Sequence, residues 1–193
     1  MRAPVGVILA GGLATRMGGG DKGRLPLGGS TILGHVLDRF APQVEALVLN
    51  ANGDPERFGD LGLPVVADSV DGFAGPLSGV LAGLDWAAER GASHVVSVAA
   101  DTPFLPCDLV PRLQLAGGDL GLALAASPSG RQPTFGLWPV SLRDDLRAAL
   151  AEGLRKVVLW TDRHGAGVAE FADDAAFFNV NTPEDLARAE AML

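Results

Sequence analysis

The strongest constraint on the fold is a rhythm. Short runs that are apolar at nearly every position alternate with stretches whose apolar residues recur every three or four positions. A run that is apolar throughout, and not only at every second position, predicts a strand buried on both faces. Such runs occur at VGVIL (5–9), VEALVLN (44–50), LPVVAD (63–68) and, most apolar of all, HVVSVAAD (94–101). Between them, Ser30 or Thr31 can cap a helix that carries Leu33, Val36, Leu37 and Phe40 on one face. PLSGVLAGLDWAAERG, from 76, stacks Leu77, Val80, Leu81, Leu84 and Ala88 along one side and ends at Gly91. Strand, helix, strand, helix, strand at these lengths predicts right-handed crossovers onto a mostly parallel sheet in an α/β fold. A chain of 193 residues buries roughly 70% of its extended surface. No linker, repeat or shift of composition divides it, so one domain over 1–193 is expected.

The second half is less regular. LPCDLVPRLQLA is a helical candidate interrupted by Pro111, LGLALAAS and PTFGLWP read as strands, and SLRDDLRAALAEG reads as an amphipathic helix. GLRKVVLWTD is a further short helix and GVAEF a strand. The end, NVNTPEDLARAEAML, is a helix with Thr182 as N-cap, Pro183 in the first position and Asp185 closing a capping box, with Leu186, Ala189 and Leu193 as its buried stripe.

Composition excludes some functions. Lysine and arginine supply 15 charges against 23 from aspartate and glutamate, a net of -8, which argues against a surface that wraps nucleic acid. One local basic cluster still suffices for a small anion. Cys107 is the only cysteine, so an intrachain disulfide and a thiol zinc site are ruled out, a small apolar role is expected for it, and a reducing cytoplasmic setting fits. No window approaches the 18 or so apolar residues of a membrane span. The opening MRAPVGVILAGG lacks the core of a signal peptide, so neither secretion nor membrane insertion is expected. Trp86, Trp138 and Trp160 read as core aromatics, and His94, opening a buried run, as a structural residue.

The chemistry concentrates in LAGGLATRMGGGDKGRLPLGG, which follows the first strand. A Walker A loop requires lysine directly after its last glycine and a hydroxyl next to it, but Lys22 precedes Gly23 and Arg24 follows. Gly18 to Gly23 satisfies G-x-G-x-x-G but starts too far beyond Leu9 for a dinucleotide fingerprint, which begins at the strand exit. What occupies that exit is Leu9-Ala10-Gly11-Gly12, whose unobstructed amides can bond a base edge or curl around phosphate oxygens. Arg16 and Lys22 add cations suited to a polyphosphate. The plainer alternative is an exposed, flexible glycine turn.

Asp68 and Asp101 close predicted strands and fall on the same rim as that loop. A carboxylate there suits Mg2+, which takes hard oxygen ligands and bridges phosphates, and Asp101 in Asp101-Thr102-Pro103 is the better metal candidate. Capping or turn roles remain the alternatives at both. Asn50 and Asn52 end the second strand, where their amides can read a base or ribose, although Asn-Gly also forms turns for backbone reasons.

Taken together, LAGG with RMGGGDKG, Asn50-Ala51-Asn52, Asp68-Ser69 through Gly75-Pro76-Leu77, Asp101-Thr102-Pro103, Gln132-Pro133-Thr134-Phe135 and Phe178-Asn179-Val180-Asn181-Thr182-Pro183-Glu184-Asp185-Leu186 resemble the molybdenum cofactor guanylyltransferases, within the nucleotidyltransferase superfamily. The resemblance covers nearly the whole chain. It implies a three-layer, Rossmann-like nucleotidyltransferase fold with helices on both faces of the sheet. It also implies a cytoplasmic, Mg2+-dependent transfer of GMP from GTP to the terminal phosphate of molybdopterin or Mo-molybdopterin, with release of pyrophosphate. By that resemblance Leu9 to Gly12, Asn50 and Asp68 contribute to the GTP site, Lys22 contacts its phosphates, Asp101 holds Mg2+, and Arg16 matches the cation of the family loop. Asn179 and Asn181 are similar to positions on the molybdopterin side. Transient contact with cofactor-insertion proteins and molybdoenzymes follows as well. The departures are Val98-Ala99-Ala100, where relatives carry cysteines or a proline, and Gln132, where some carry histidine. A cytidylyl or sugar-phosphate transferase of the same fold, and a non-catalytic nucleotide or cofactor carrier, are the competing readings.

Overall fold

β1 (Val5–Leu9) runs through the middle of the sheet in a computed structural model that describes residues 3–11, 21–70 and 75–193. A small hairpin, β2 (Pro26–Leu27) and β3 (Ser30–Thr31), leads into α1 (Ile32–Phe40), β4 (Leu47–Asn50), β5 (Val65–Val66), α2 (Pro76–Glu89) and β6 (His94–Ala99). The second half adds α3 (Leu109–Ala116), β7 (Ala123–Ser127), β8 (Gly130–Pro139), α4 (Arg143–Ala151), α5 (Val157–Arg163), β9 (Gly167–Glu170) and α6 (Pro183–Ala191).

The central sheet has the order β5-β4-β1-β6-β8-β7-β9. β8 runs against β6 and β7, and every other pairing is parallel. Six of the seven strands therefore end on one rim, where ligands of open α/β sheets bind. In register, Leu9 lies opposite Asn50 on one side and Ala99 on the other.

Because successive side chains alternate between faces, the continuous apolar runs feed two cores at once. Ile8, Leu49, Val96 and Val98 pack with Val36 and Phe40 of α1 and Leu109 and Leu113 of α3. Val7, Val48 and Val95 pack with Val80 and Leu84 of α2, Leu146 of α4 and Trp160 of α5. The result is the expected three-layer arrangement, and each fully buried side chain of this kind contributes about 1.5–3 kcal/mol. A third, smaller cluster beneath α6 joins Leu27 and Ile32 to Val180 and Ala189. All three tryptophans are buried; Trp138 donates to Ser97 Oγ at 2.8 Å and Trp160 to Asp145 Oδ1 at 2.9 Å, so neither indole N–H is left without a partner.

Helix ends follow the sequence closely. Thr31, not Ser30, caps α1 by accepting from Gly34 N at 3.0 Å. Thr182 and Asp185 form the capping box of α6. Strand bounds follow it less well. β4 begins only at Leu47 because a 3-10 turn over Ala41–Gln43 precedes it, β5 shortens to two residues, and β8 extends back to Gly130. Pro111 does not interrupt a helix: α3 starts at Leu109, so the proline sits in the first turn, where its missing N–H is harmless. Two burial expectations fail. Leu193 lies beyond the end of α6 and is 61% exposed, leaving Ala189 as the buried residue of that helix. Cys107 is exposed, because it stands in the turns that precede α3 and not in the helix itself.

Candidate active site

The carboxyl rim of β1 and β6 opens into a cleft lined by Leu9, Ala10, Asp21, Lys22, Gly23, Leu33, Phe58, Ala100 and Asp101. Four of the residues singled out from sequence, Leu9, Ala10, Lys22 and Asp101, thus meet at one place. Gly11 is exposed beside them, whereas Gly12 and Arg16 lie outside the described residues. Lys22 opens a single 3-10 turn, Lys22–Arg24, that leads into the β2–β3 hairpin. Asp101 follows β6 by two residues.

Burial pushes the Asp101 carboxyl above its ordinary value, with the Lys22 ammonium pulling the other way. A half-buried carboxylate that gains from a nearby cation is the donor a divalent metal would use. Among the described residues no group of three or more His, Cys, Asp or Glu side chains converges. Asp101 is a hard oxygen donor, which a divalent cation would take together with waters and substrate phosphates.

On the β6 side, Lys22 Nζ donates to Asn181 Oδ1 at 2.7 Å. Thr102 Oγ1 donates to Asn179 Oδ1, and the backbone N–H of Val180 donates to the Asp101 carbonyl at 2.9 Å. The segment before α6 is thereby laced onto Asp101 and Lys22, and both asparagine amides keep their N–H groups out of these bonds.

On the β4 side, Asp68 accepts from Asn50 Nδ2 at 3.0 Å and Asn52 Nδ2 at 2.9 Å, while its own N–H donates to Asn52 Oδ1 at 2.9 Å. α2 lies close above this network because Gly79 and Gly83 face the sheet. A Cβ on Gly79 would stand 2.2 Å from Asn50 Oδ1, and one on Gly83 would stand 2.9 Å from Val7 Cβ.

Several lining residues were not singled out from sequence. Asp21 adjoins Lys22, so adjacency was a usable signal. Phe58 gave none: it arrives from a 3-10 segment, Pro55–Leu61, between two strands. Asn52, which the sequence offered either as a base or ribose contact or as a turn residue, shares the Asp68 carboxylate with Asn50.

A cleft at the carboxyl rim, with a lysine and a carboxylate beside glycine-rich backbone, is the arrangement of a nucleotide-handling site. The MobA-like NTP transferase domain matches residues 6–166. The chain belongs to this family. Within the MobA-like family it is 56% identical to a molybdenum cofactor guanylyltransferase of a Bradyrhizobium strain, over 97% of this chain and 92% of the relative. It is 52% identical to one of Mesorhizobium japonicum, over 97% and 95%. Among solved structures, the molybdopterin-guanine dinucleotide biosynthesis protein A of Archaeoglobus fulgidus superposes with a TM-score of 0.72 at 25% identity, covering 97% of each chain. A cytidylyl enzyme of Anaerococcus prevotii, 4-diphosphocytidyl-2C-methyl-D-erythritol synthase, shares the fold with a TM-score of 0.77 at 16% identity. The MobA-like chain is thus a nucleotidyltransferase with the three-layer fold of that superfamily. No helix among its described residues is long and apolar enough to cross a membrane.

Proposed function

We propose that the protein transfers GMP from GTP to the terminal phosphate of molybdopterin or Mo-molybdopterin, forming the guanine dinucleotide and releasing pyrophosphate. The observation that carries this reading is the meeting of Lys22 and Asp101 with the Leu9–Ala10 backbone in one cleft of a MobA-like fold. Leu9 through Gly12, Asn50 and Asp68 take the nucleoside; each Asp68 oxygen already accepts one amide and retains a lone pair for a ribose hydroxyl. Lys22 and Arg16 neutralise the phosphates. Asn179 and Asn181 direct amide donors to the acceptor phosphate. The whole chain, 1–193, acts as one catalytic unit in a reducing cytoplasm, with transient contact to cofactor-insertion proteins and molybdoenzymes.

An ionised acceptor phosphate needs no general base near neutral pH. One of its oxygens attacks the α-phosphorus, a P–O bond forms, and the bond to the bridging oxygen of the β-phosphate breaks, so that pyrophosphate leaves with the electron pair. Lys22 stabilises the charge that grows on that leaving group. Mg2+ held by Asp101 supplies Lewis-acid polarisation of the phosphoryl oxygens when bound.

Pyrophosphate release measured with molybdopterin and each of GTP, CTP, UTP and ATP tests the reading. Turnover confined largely to GTP is expected. Equal or better turnover with CTP would reassign the base, and tight GTP binding without pyrophosphate release would make the protein a carrier.

A further inference from the structure

Two groups of proposed site residues come from different parts of the chain: Asp21 and Lys22, which line the cleft on the phosphate side, and the hydrogen-bonded Asn50, Asn52 and Asp68 at the end of β4, on the nucleoside side. One side chain touches both. Arg57, in the Pro55–Leu61 segment after β4, donates through Nη2 to the Asn52 carbonyl at 2.7 Å. Its Nε stands 3.3 Å from Asp21 Oδ2. Its guanidinium carbon lies 4.9 Å from the centre of the Phe58 ring, and that ring lines the cleft. Arg57 itself does not line it.

We propose that Arg57 is a positioning residue for nucleotidyl transfer, tying the nucleoside side of the cleft to the phosphate side and thereby setting where Lys22 stands. This rests on the reading that Lys22 contacts the GTP phosphates. Three observations support the tie. First, Asp21 occupies the N-cap of the Lys22–Arg24 turn but makes no capping hydrogen bond; its carboxylate turns to Arg57 instead. An aspartate in that position ordinarily satisfies an N–H of its own turn, so the cap is given up for a contact with the Pro55–Leu61 segment. Second, the platform that presents Arg57 is fixed. Asp54 caps it by accepting from Glu56 N at 3.0 Å, Pro55 opens it, and Phe58 is buried with the Arg24 guanidinium also against its ring at 6.0 Å. Arg24 in turn pairs with Asp60 through two bonds of 2.7 and 2.6 Å. Third, Arg57 Nε is buried and has no hydrogen-bond partner among the described residues, because Asp21 is within ion-pair range but not aligned with the N–H. An unsatisfied buried donor is unfavourable. A small movement of Asp21 toward it completes the bond, and that movement carries Lys22, the next residue, with it. Nucleoside binding at Asn52 and Asp68 therefore favours the arrangement of Lys22 that the triphosphate requires.

The test compares Arg57→Gln, Asp21→Asn and the double variant, with kcat and KM for GTP and for molybdopterin read separately. Arg57→Gln is expected to lower kcat/KM for GTP roughly 10- to 100-fold, the size of effect that a displaced catalytic group produces, with KM for molybdopterin unchanged. The double variant is expected to be no worse than the poorer single variant, because both changes cut the same tie. Guanidinium ion at non-denaturing millimolar concentration is expected to restore activity to Arg57→Ala, an effect that a general loss of structure would not show. Wild-type kcat/KM in Arg57→Gln overturns the proposal, and so do losses that multiply in the double variant. If a thermal melt finds Arg57→Gln unfolded, Arg57→Lys replaces it; lysine keeps the charge but cannot reach both Asn52 and Asp21, so it should lose part of the activity, and full activity overturns the tie. Lys22→Ala separates the two levels. Undiminished GTP turnover there overturns the reading of Lys22 itself, whereas an impaired Lys22→Ala beside an unaffected Arg57→Gln overturns only the role of Arg57.

Discussion

Lys22 and Asn181, 159 positions apart in the chain, are joined by a hydrogen bond of 2.7 Å from the lysine ammonium to the asparagine side-chain carbonyl. The contact aligns the end of the glycine loop with the segment before α6, so the side proposed for GTP and the side proposed for the acceptor share one charged group. Lys22→Ala is expected to lower kcat/KM for GTP by ~10²–10³, as for removal of a single charge-stabilising donor. Asn181→Ala leaves the lysine in place without its partner and should lose about 10-fold, within the range for a hydrogen bond to a charged group. Pyrophosphate release at varied GTP measures both, and an Asn181→Ala loss as large as that of Lys22→Ala would give the asparagine a more direct role.

Asp101 sets stability against function. Burial raises its folded-state pKa above the ordinary 3.8, so the native state holds this proton more tightly than the unfolded chain does. The contribution of Asp101 to stability is therefore greatest below about the unfolded value and declines as pH rises through the interval up to the folded one. Asp101→Asn removes the buried charge. It should melt at a higher temperature than wild type at pH 7, with the difference shrinking as pH falls toward the unfolded value, while its turnover is lost even at saturating Mg2+. Retained turnover would remove Asp101 from the metal site.

Two glycines of α2 separate packing from ligand contact. A methyl group on Gly79 collides with Asn50 Oδ1 and Leu9 Cδ2, whereas the atoms nearest to one on Gly83 belong to the Val7 side chain. Both alanine variants should be destabilised by about 1–3 kcal/mol, lowering Tm by roughly 2–4 °C per kcal/mol in a domain of this size. Gly79→Ala alone should also weaken GTP binding, which titration calorimetry would register. Equal GTP affinity in the two variants would place Asn50 away from the nucleotide.

The capping box at Thr182 is the most local of these features. Thr182→Ala should cost about 1 kcal/mol of stability. Because this cap begins one residue after Asn181, the KM for molybdopterin should rise more than the KM for GTP. A thermal melt and a two-substrate kinetic series report the two effects.

What the sequence determined by itself is what short stretches of chain decide on their own. The order of strands and helices apart from the β2–β3 hairpin, the Thr182–Asp185 capping box and the two-sided burial of VGVIL and HVVSVAAD follow from periodicity and capping, which act over a few residues. The placement of Leu9, Asn50, Asp68 and Asp101 near one rim followed too, because parallel strands all end on the same side. Tertiary structure alone decided the rest. Asp101 lies at the end of an apolar strand in the sequence, but its raised pKa depends on how deeply the packed sheet withdraws it from water, against the opposing pull of Lys22 arriving from another segment. Phe58 and Arg57 carry no motif; Phe58 lines the cleft, and Arg57 reaches Asp21 and Asn52 beside it, because a 3-10 segment between two strands brings them there. Cys107, a small apolar residue by type, is exposed because the turns before α3 leave it at the surface. The reason is common to all three: local pattern fixes which face a residue takes within its own element, while its neighbours from other elements are chosen only when distant segments pack together, and those neighbours set charge, burial and chemistry.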